Sequence, residues 1–311
     1  MVKNVNAAPV RRVNNKRAKQ IKLLLMLLPF LILSGIFSYA PLFGWSYAFF
    51  DFTPGVSIFD SKFVGLKYFR RIFSSGDFLK VMRNTLTISF LNICCSILPA
   101  AFAIELSLVR SKRYAKLVQT GSSIPNFISW VLVYSIVFML ISSEDSAMNM
   151  ILKNLGIIEK SLSPLTDLDH AWTIQVLIGI WKSLGYNAII YLSAITSIDQ
   201  ELYQAADVDG ANAWQKVLHV TIPGLLPTFF VLLLLAISNM LSNGFDQYWL
   251  LATGMTWDKL EVFDTYVYRM GIKNMEYSLA TAMGIFKSVV SIVLLTFANV
   301  MSKKIRGVSI F

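Results

Sequence analysis

The sequence predicts an all-α integral membrane protein with six transmembrane helices, and three observations support this prediction. Hydrophobic residues make up 55% of the 311 residues and charged residues only 15%, and the mean hydropathy is +0.59. A soluble domain is about a quarter charged, so this chain has too little polar surface to face water on all sides. Six apolar windows are long enough to cross a bilayer, and the basic residues collect on one side of them.

The six windows are placed by length, because a spanning helix needs about 20 mostly apolar residues. The first window follows a basic stretch, but its apolar core is too long for a cleavable signal peptide and five more spans follow. We therefore interpret it as an uncleaved anchor. The third window is short, and Pro125 and Asn126 interrupt its start. The predicted spans are Leu23–Tyr47, Leu86–Val109, Ile124–Ile141, Trp172–Thr196, Leu225–Asn243 and Ser278–Met301.

The charge distribution predicts the orientation of these spans. The tail 1–22 has no acid and carries Lys3, Arg11, Arg12, Lys16, Arg17, Lys19 and Lys22. With this tail in the cytoplasm, the inner segments carry 15 basic and 4 acidic residues, a net +11, and the outer loops carry 11 basic and 13 acidic residues, a net −2. Excess Lys and Arg stay in the cytoplasm, so we expect both termini there. Residues 23–311 are interpreted as a single six-helix domain.

The first outer loop departs from this charge rule. Lys67, Arg70, Arg71, Lys80 and Arg83 all lie in this loop, on the side where few basic residues are expected. Its apolar residues recur at helical spacing, at Phe63, Leu66, Phe69 and Phe73. Such a pattern is typical of an amphipathic helix, and we predict one that lies at the outer membrane interface.

Several classes of function are disfavoured by the residues present. A formal charge of +10 would suggest nucleic acid in a soluble protein, but here the topology explains it and no nucleic-acid partner is expected. Cys94 and Cys95 are adjacent, so a structural disulfide framework is implausible. His170 and His219 have no ligand-spaced partners, so no metal site is predicted. The sequence has no Walker-type phosphate loop and no paired carboxylates, so the chain is not expected to be an enzyme.

The segment 199–223, between the fourth and fifth spans, is the most informative part of the chain. Asp199 can cap a short helix, and Glu201 adds an acid at its positive end. Gly210 lies where that helix would end in a left-handed residue. A second short helix is predicted to begin at Asn212 and to end at Pro223. The result is a compact helical knob below the membrane, which from physics alone could equally be an amphipathic connector resting on the lipid.

The order of residues in this segment resembles a known family. Ala205-Ala206, then Asp209-Gly210-Ala211, then Ile-Pro and Leu-Leu-Pro, is similar to the "EAA" loop of permeases from binding-protein-dependent ABC importers. The resemblance implies a type I importer fold in which Gln204–Ala211 form a coupling helix that docks into a separate ATP-binding subunit. The coupling residues would be Gln204, Ala205, Ala206, Asp209, Gly210 and Ala211. Gln204 stands where the family usually has glutamate, so a neutral contact replaces a charged one.

Weaker motifs extend the resemblance over most of the chain. Phe63-Val-Gly-Leu-Lys-Tyr-Phe looks like the approach to the second span of carbohydrate permeases, and 264–271 with 278–288 is similar to the oligosaccharide branch, which includes alginate-importer and LplB-type permeases. The resemblance implies a bacterial plasma-membrane protein that imports an oligosaccharide or polysaccharide fragment by alternating access. Its partners would be two ATP-binding subunits that bind ATP and Mg, a second, non-identical permease, and an extracellular solute-binding protein. No cofactor is expected on this chain.

Polar and aromatic residues within the spans mark a candidate substrate path. Sugars are bound by aromatic faces, amides and hydroxyls, and the predicted path residues are Trp181, Tyr186, Asn187, Asn239, Asn243 and Asp246. Trp181, Tyr186 and Asn243 also fall at positions similar to sugar contacts in the maltose importer's larger permease; lipid-interface anchoring or helix packing is the alternative for the aromatics. Lys182 and Lys287 lie within spans. A charged side chain there usually faces a cavity, pairs with another group in the bundle, or extends to the membrane interface.

Two other classes of function remain open from the residues alone. An ion-driven secondary transporter or channel would need intramembrane acids, and Glu105 is the one clear candidate. A membrane-embedded enzyme or signalling scaffold would need a cluster of catalytic residues at one membrane face, and the sequence shows none. Both classes are therefore less favoured than a permease.

Overall fold

The computed structural model describes residues 14–142 and 146–306, so Lys3, Arg11 and Arg12 of the basic tail lie outside the described residues. Within the described residues all regular elements are helical, and one antiparallel bridge joins Phe50 to Phe63. The α-helices are α1 (Asn14–Ser34), α2 (Lys67–Ser74), α3 (Gly76–Cys95), α4 (Ile97–Leu108), α5 (Lys112–Phe127), α6 (Trp130–Ile141), α7 (Ala147–Asn154), α8 (Ala171–Thr196), α9 (Gln200–Val208), α10 (Ala213–Lys216), α11 (Ile222–Ser238), α12 (Asp246–Leu251), α13 (Trp257–Leu260), α14 (Phe263–Tyr268) and α15 (Tyr277–Arg306).

Shorter segments link or extend these helices. Three turns are π-helical, at Gly35–Tyr39, Val217–Thr221 and Arg269–Lys273. Three others are 3₁₀-helical, at Ala40–Phe49, Ile58–Asp60 and Pro164–Thr166.

The prediction of six spans is confirmed, with one span broken. Five continuous helical stretches are long and apolar enough to cross a membrane: Lys19–Phe49, Gly76–Leu108, Ala171–Thr196, Ala213–Ser238 and Tyr277–Lys304. The pair α5 and α6 makes the sixth if it is counted as one span. None of the most apolar window of the first stretch is buried within the chain, so its side chains are free to contact lipid or another subunit.

The third span is not the straight helix Ile124–Ile141 that the sequence predicts. The helix direction bends by 103° between α5 and α6. Pro125 has no backbone N–H to donate to the preceding turn, which weakens the last turn of α5, and the helix ends two residues later. Ser129 then caps α6 by accepting from the Leu132 N–H at 3.4 Å. The apolar window is therefore shared between two helices.

The prediction that Pro223 ends a short connector helix is wrong. Residues 213–238 run as one helical stretch, so the fifth span begins at Ala213 rather than Leu225. The π-turn Val217–Thr221 lies directly before Pro223. A π-turn shifts the hydrogen-bond register, which lets a helix accommodate a residue without an N–H.

The predicted amphipathic segment forms α2. Of its predicted apolar residues, Phe69 packs against the buried cluster that contains Tyr68 and Ile72, and the Phe73 ring contacts the rings of Phe78 and Phe286. Tyr68 and Ile72 are buried, at 7% and 2% exposure, whereas Phe63 and Leu66 precede the helix and are exposed. The Tyr68 hydroxyl donates to Asp51. This hydrogen bond lowers the pKa of the Asp51 carboxyl, while burial and the same bond raise the pKa of Tyr68 to about 12.

Two of the four buried apolar clusters in the described residues show how the bundle packs. The outer cluster joins the end of the first span to α2, α3, α14 and α15 and includes Phe78, Phe263 and Met283. The second cluster joins α4, α8 and α11 through Ala103, Ala188 and neighbours. Small residues permit close helix approach in a membrane, where packing rather than hydrophobic burial drives association.

Close approach between α5 and α8 depends on Gly185. A Cβ atom at this position would lie 2.3 Å from the carbonyl carbon of Ser122, whereas a Cβ at Gly121 of α5 meets nothing within 4 Å. We expect Gly185→Ala to destabilise the protein by about 1–3 kcal/mol through overpacking. Thermal unfolding of the detergent-purified chain checks this, with Gly121→Ala as the matched control. Equal unfolding temperatures for the two variants would contradict the packing account.

Candidate functional site

The first candidate site is the knob formed by residues 199–223. The Asp199 side chain accepts from the Glu201 N–H at 3.0 Å and caps α9, as predicted. Gly210 has a φ of +74°, and the Ala211 N–H donates to the Ala206 carbonyl at 2.9 Å. This six-to-one bond with a left-handed glycine is the Schellman ending of a helix. Asn212 forms a capping box with Gln215 at the start of α10.

The surface of α9 has no buried residue, although it carries large apolar side chains. Val208 is 88% exposed and Leu202 is 54% exposed, and Trp214 on the next helix is 64% exposed. Of the predicted coupling residues, Gln204, Ala205, Asp209 and Gly210 are exposed and Ala206 and Ala211 are half-buried. Val208 and Leu202 were missed by the sequence reasoning, since a single-sequence pattern does not reveal which apolar residue lacks a partner.

Specific contacts fix the knob to the spans. Lys216 pairs with Asp207 of α9, and the Tyr203 hydroxyl lies 3.0 Å from Oγ1 of Thr221, within the helical stretch Ala213–Ser238 of the fifth span. At Gly224 a Cβ would lie 2.5 Å from Ile198 Cδ1, so the ends of the fourth and fifth spans are in close contact. These contacts connect α9 to the adjoining ends of the fourth and fifth spans.

The second candidate site is a cavity of about 820 Å³ within the bundle. Its walls come from α3 and α4, from the break in the third span, and from α8, α11 and α12. Most of its polar groups are amides and hydroxyls, which suit a ligand rich in hydroxyl groups. The polar and aromatic lining residues are Asn92, Ser96, Asn126, Ser129, Trp130, Lys182, Ser183, Asn187, Tyr191, Asn243, Asp246, Gln247 and Tyr248.

The structure brings three of the six predicted path residues to this cavity. Asn187, Asn243 and Asp246 line it. Trp181 and Tyr186 lie outside the lining, 46% and 44% exposed. The α8 residues that line the cavity include Gly179, Ser183, Asn187 and Tyr191, which follow a four-residue spacing that Trp181 and Tyr186 do not share. Asn239 is exposed, and its side-chain amide donates to the Leu235 carbonyl.

The wall around Asn243 contains an unused hydrogen-bond acceptor. Asn243 Nδ2 donates to Ser89 Oγ at 2.9 Å, and its Oδ1 is buried with no partner. Gln247 Nε2 donates to the Gln175 carbonyl at 2.7 Å, which fixes this part of α12 to α8. A buried acceptor without a partner is costly, and a ligand hydroxyl could satisfy it.

The two lysines within spans are both engaged. Lys182 is 7% exposed and its ammonium donates to three main-chain carbonyls. Lys287 forms an ion pair of 2.5 Å with Asp264. Glu105 lies on the exposed face of α4. In the described part of the chain, no group of three or more His, Cys, Asp or Glu could hold a metal ion, and Cys94 and Cys95 are free.

The fold is thus a multi-pass helical bundle with a polar cavity inside it and a helical knob between its fourth and fifth spans, an arrangement expected of a membrane permease. Residues 95–307 match the family described as "Binding-protein-dependent transport system inner membrane component", and the chain belongs to this family. The resemblance seen in the sequence is thereby confirmed.

Named relatives cover nearly the whole chain. Protein LplB of Bacillus subtilis (strain 168) is 37% identical over 93% of this chain and 91% of its own length. The polygalacturonan/rhamnogalacturonan transport system permease protein YteP of the same organism is 36% identical over 94% and 91%. A chain in the crystal structure of a bacterial ABC transporter involved in the import of the acidic polysaccharide alginate matches with a TM-score of 0.85 at 35% identity, over 95% of this chain and 100% of that chain.

Proposed function

We propose that this chain is a permease subunit of an ATP-driven importer that takes up an oligosaccharide or a polysaccharide fragment by alternating access. The observation that carries the proposal is the match over almost the whole chain to the alginate transporter, together with YteP, a relative named for polygalacturonan and rhamnogalacturonan transport. The cavity supports the same substrate class, because its amides, hydroxyls and unpaired Asn243 acceptor suit the hydroxyl groups of a sugar.

The helix α9 is the proposed link to ATP hydrolysis. The segment Gln204–Ala211 docks into an ATP-binding subunit, and the exposed Val208 and Leu202 give that contact an apolar centre. Gln204 supplies a neutral hydrogen-bonding contact. Two such subunits bind ATP and Mg, and their closure moves α9 and, through Tyr203 and Lys216, the spans that line the cavity.

The remaining partners follow from the same assignment. A second, non-identical permease completes the cavity, and an extracellular solute-binding protein delivers the sugar. A related structure in the alginate system contains a periplasmic protein with bound alginate pentasaccharide, which supports such a partner. The protein spans the bacterial plasma membrane with both termini in the cytoplasm, in line with the charge distribution.

Uptake is expected to depend on ATP and not on an ion gradient. Cells that express the full system are loaded with labelled oligosaccharides of galacturonate, mannuronate or arabinose in separate assays. An uncoupler that leaves ATP intact should reduce uptake of the transported sugar less than twofold, and ATP depletion should reduce it more than tenfold. The reverse pattern would indicate the ion-driven alternative, for which Glu105 was the candidate.

A further inference from the structure

The break in the third span leaves carbonyl groups that need partners. Helix α5 ends at Phe127 and α6 begins at Trp130, so the last carbonyls of α5 lack the N–H four residues further on, and the Pro125 carbonyl instead accepts from the Ile128 N–H at 3.3 Å. Water is scarce at membrane depth, and irregular backbone there is stable only where the protein or a cavity supplies hydrogen bonds. The carbonyl groups at this break therefore need hydrogen-bond donors from elsewhere in the protein or from the cavity.

Lys182 of α8 supplies those hydrogen bonds. Its ammonium donates to the carbonyls of Pro125 at 3.0 Å, Asn126 at 2.9 Å and Ile128 at 2.7 Å. An ammonium group has three N–H donors, so all of them are used. A cation at a helix C-terminus is also favoured by the helix dipole.

The same ammonium contacts the second half of the span. Lys182 Nζ lies 5.3 Å from the centre of the Trp130 ring, at the first residue of α6, which is cation–π distance. One side chain from α8 thus contacts both sides of the break. Lys287, which also lies near the middle of a predicted span, pairs instead with the carboxylate of Asp264.

The break forms part of the cavity wall, because Asn126, Ser129 and Trp130 line the cavity beside Lys182. We propose that Lys182 is a positioning residue that keeps the third span broken and thereby gives the transport cavity its shape. It acts through the backbone of α5 and α6 rather than by binding the sugar. The effect on transport rests on the proposed function, whereas the effect on the geometry of the span does not.

The distance between a label on α5 and a label on α6 tests whether the third span is bent. Spin labels at Leu117 and Met139, which are 73% and 64% exposed, report on the two halves in a chain with Cys94→Ser and Cys95→Ser. At 1.5 Å rise per residue, a straight helix would separate the two backbones by about 33 Å, and the 103° bend brings them to about 20 Å. We expect one narrow population near the shorter distance in the parent and in Lys182→Arg.

Lys182→Met should broaden that distribution toward the longer distance. In the assembled complex it should also lower sugar uptake at least tenfold, and Lys182→Arg should retain at least a third of wild-type uptake, since guanidinium keeps the charge and the donors. If the Lys182→Met chain is not inserted into the membrane, Lys182→Gln replaces it in both measurements, because glutamine also removes the charge and carries one neutral amide. A methionine or glutamine variant with the narrow parent distance would overturn the proposal. Absence of uptake in the parent itself would count against the proposed function and leave the distance test intact.

Discussion

Val208→Glu is expected to abolish ATP-driven uptake while leaving all spans inserted. Val208 is 88% exposed in the single chain, so a carboxylate there stays in water, and its position at the last residue of α9 costs only about 0.3–1 kcal/mol against the helix dipole. If α9 docks into an ATP-binding subunit, the same carboxylate is buried without a partner at the interface. Such a charge costs about 3–5 kcal/mol, which weakens docking by at least about a hundredfold. Uptake and recovery of the ATP-binding subunit with the tagged chain should both be lost.

The matched control is Gln200→Glu, which makes the same charge change at the first residue of α9. Position 200 is exposed and lies before the proposed contact Gln204–Ala211, and an acid at a helix N-terminus is favourable. We expect its uptake to stay within twofold of wild type.

Gly210→Arg should behave like Val208→Glu, because a φ of +74° is strained for any residue with a Cβ. Wild-type uptake by Val208→Glu would count strongly against docking through this surface.

The second large effect is expected from filling the cavity. Asn187→Trp places an indole in the space between α8, α11 and the broken third span. We expect sugar uptake to fall at least tenfold, because the substrate and the indole compete for the same volume. The ATP-binding subunit should still be recovered with the chain, since α9 is unchanged.

Asn239→Trp is the matched control for this prediction. Asn239 is exposed and does not line the cavity, and the substitution is the same. Uptake by this variant should stay within threefold of wild type, measured with equal amounts of protein in proteoliposomes. Equal losses in the two variants would show that the cavity is not the route, and that the original prediction of Asn239 as a path residue needs to be considered again.

The sequence was sufficient to predict helix starts and endings, because these depend on interactions among a few neighbouring residues. Asp199, Gly210 and Asn212 predict two helix starts and a left-handed ending, and each has that role in the structure. The number of spans was likewise predictable, because it depends on length and hydropathy alone.

Features that depend on contacts between distant elements were not predictable in the same way. Pro223 was expected to end a helix, but the π-turn before it lets the helix continue into the fifth span. Lys182 was recognised as a lysine within a span, yet its three carbonyl partners lie more than 50 residues earlier in the chain. No local pattern reveals such a partner.

The substrate path was predicted by residue type, and residue type does not specify a helix face. Trp181 and Tyr186 are suitable for sugar binding by chemistry, but in this single chain they do not line the cavity that Asn187 lines. Their roles and those of the coupling residues remain predictions for experiment.

Photocrosslinking from α9 in native membranes tests the central claim most directly. A benzoylphenylalanine at Val208 is activated in cells that express the full system, with position 200 as the control. The account predicts a crosslink from position 208 to a protein with a nucleotide-binding domain, identified by mass spectrometry, and much less from position 200. Crosslinks from position 208 to lipid alone, in cells where uptake is active, would contradict docking of this helix to an ATP-binding subunit.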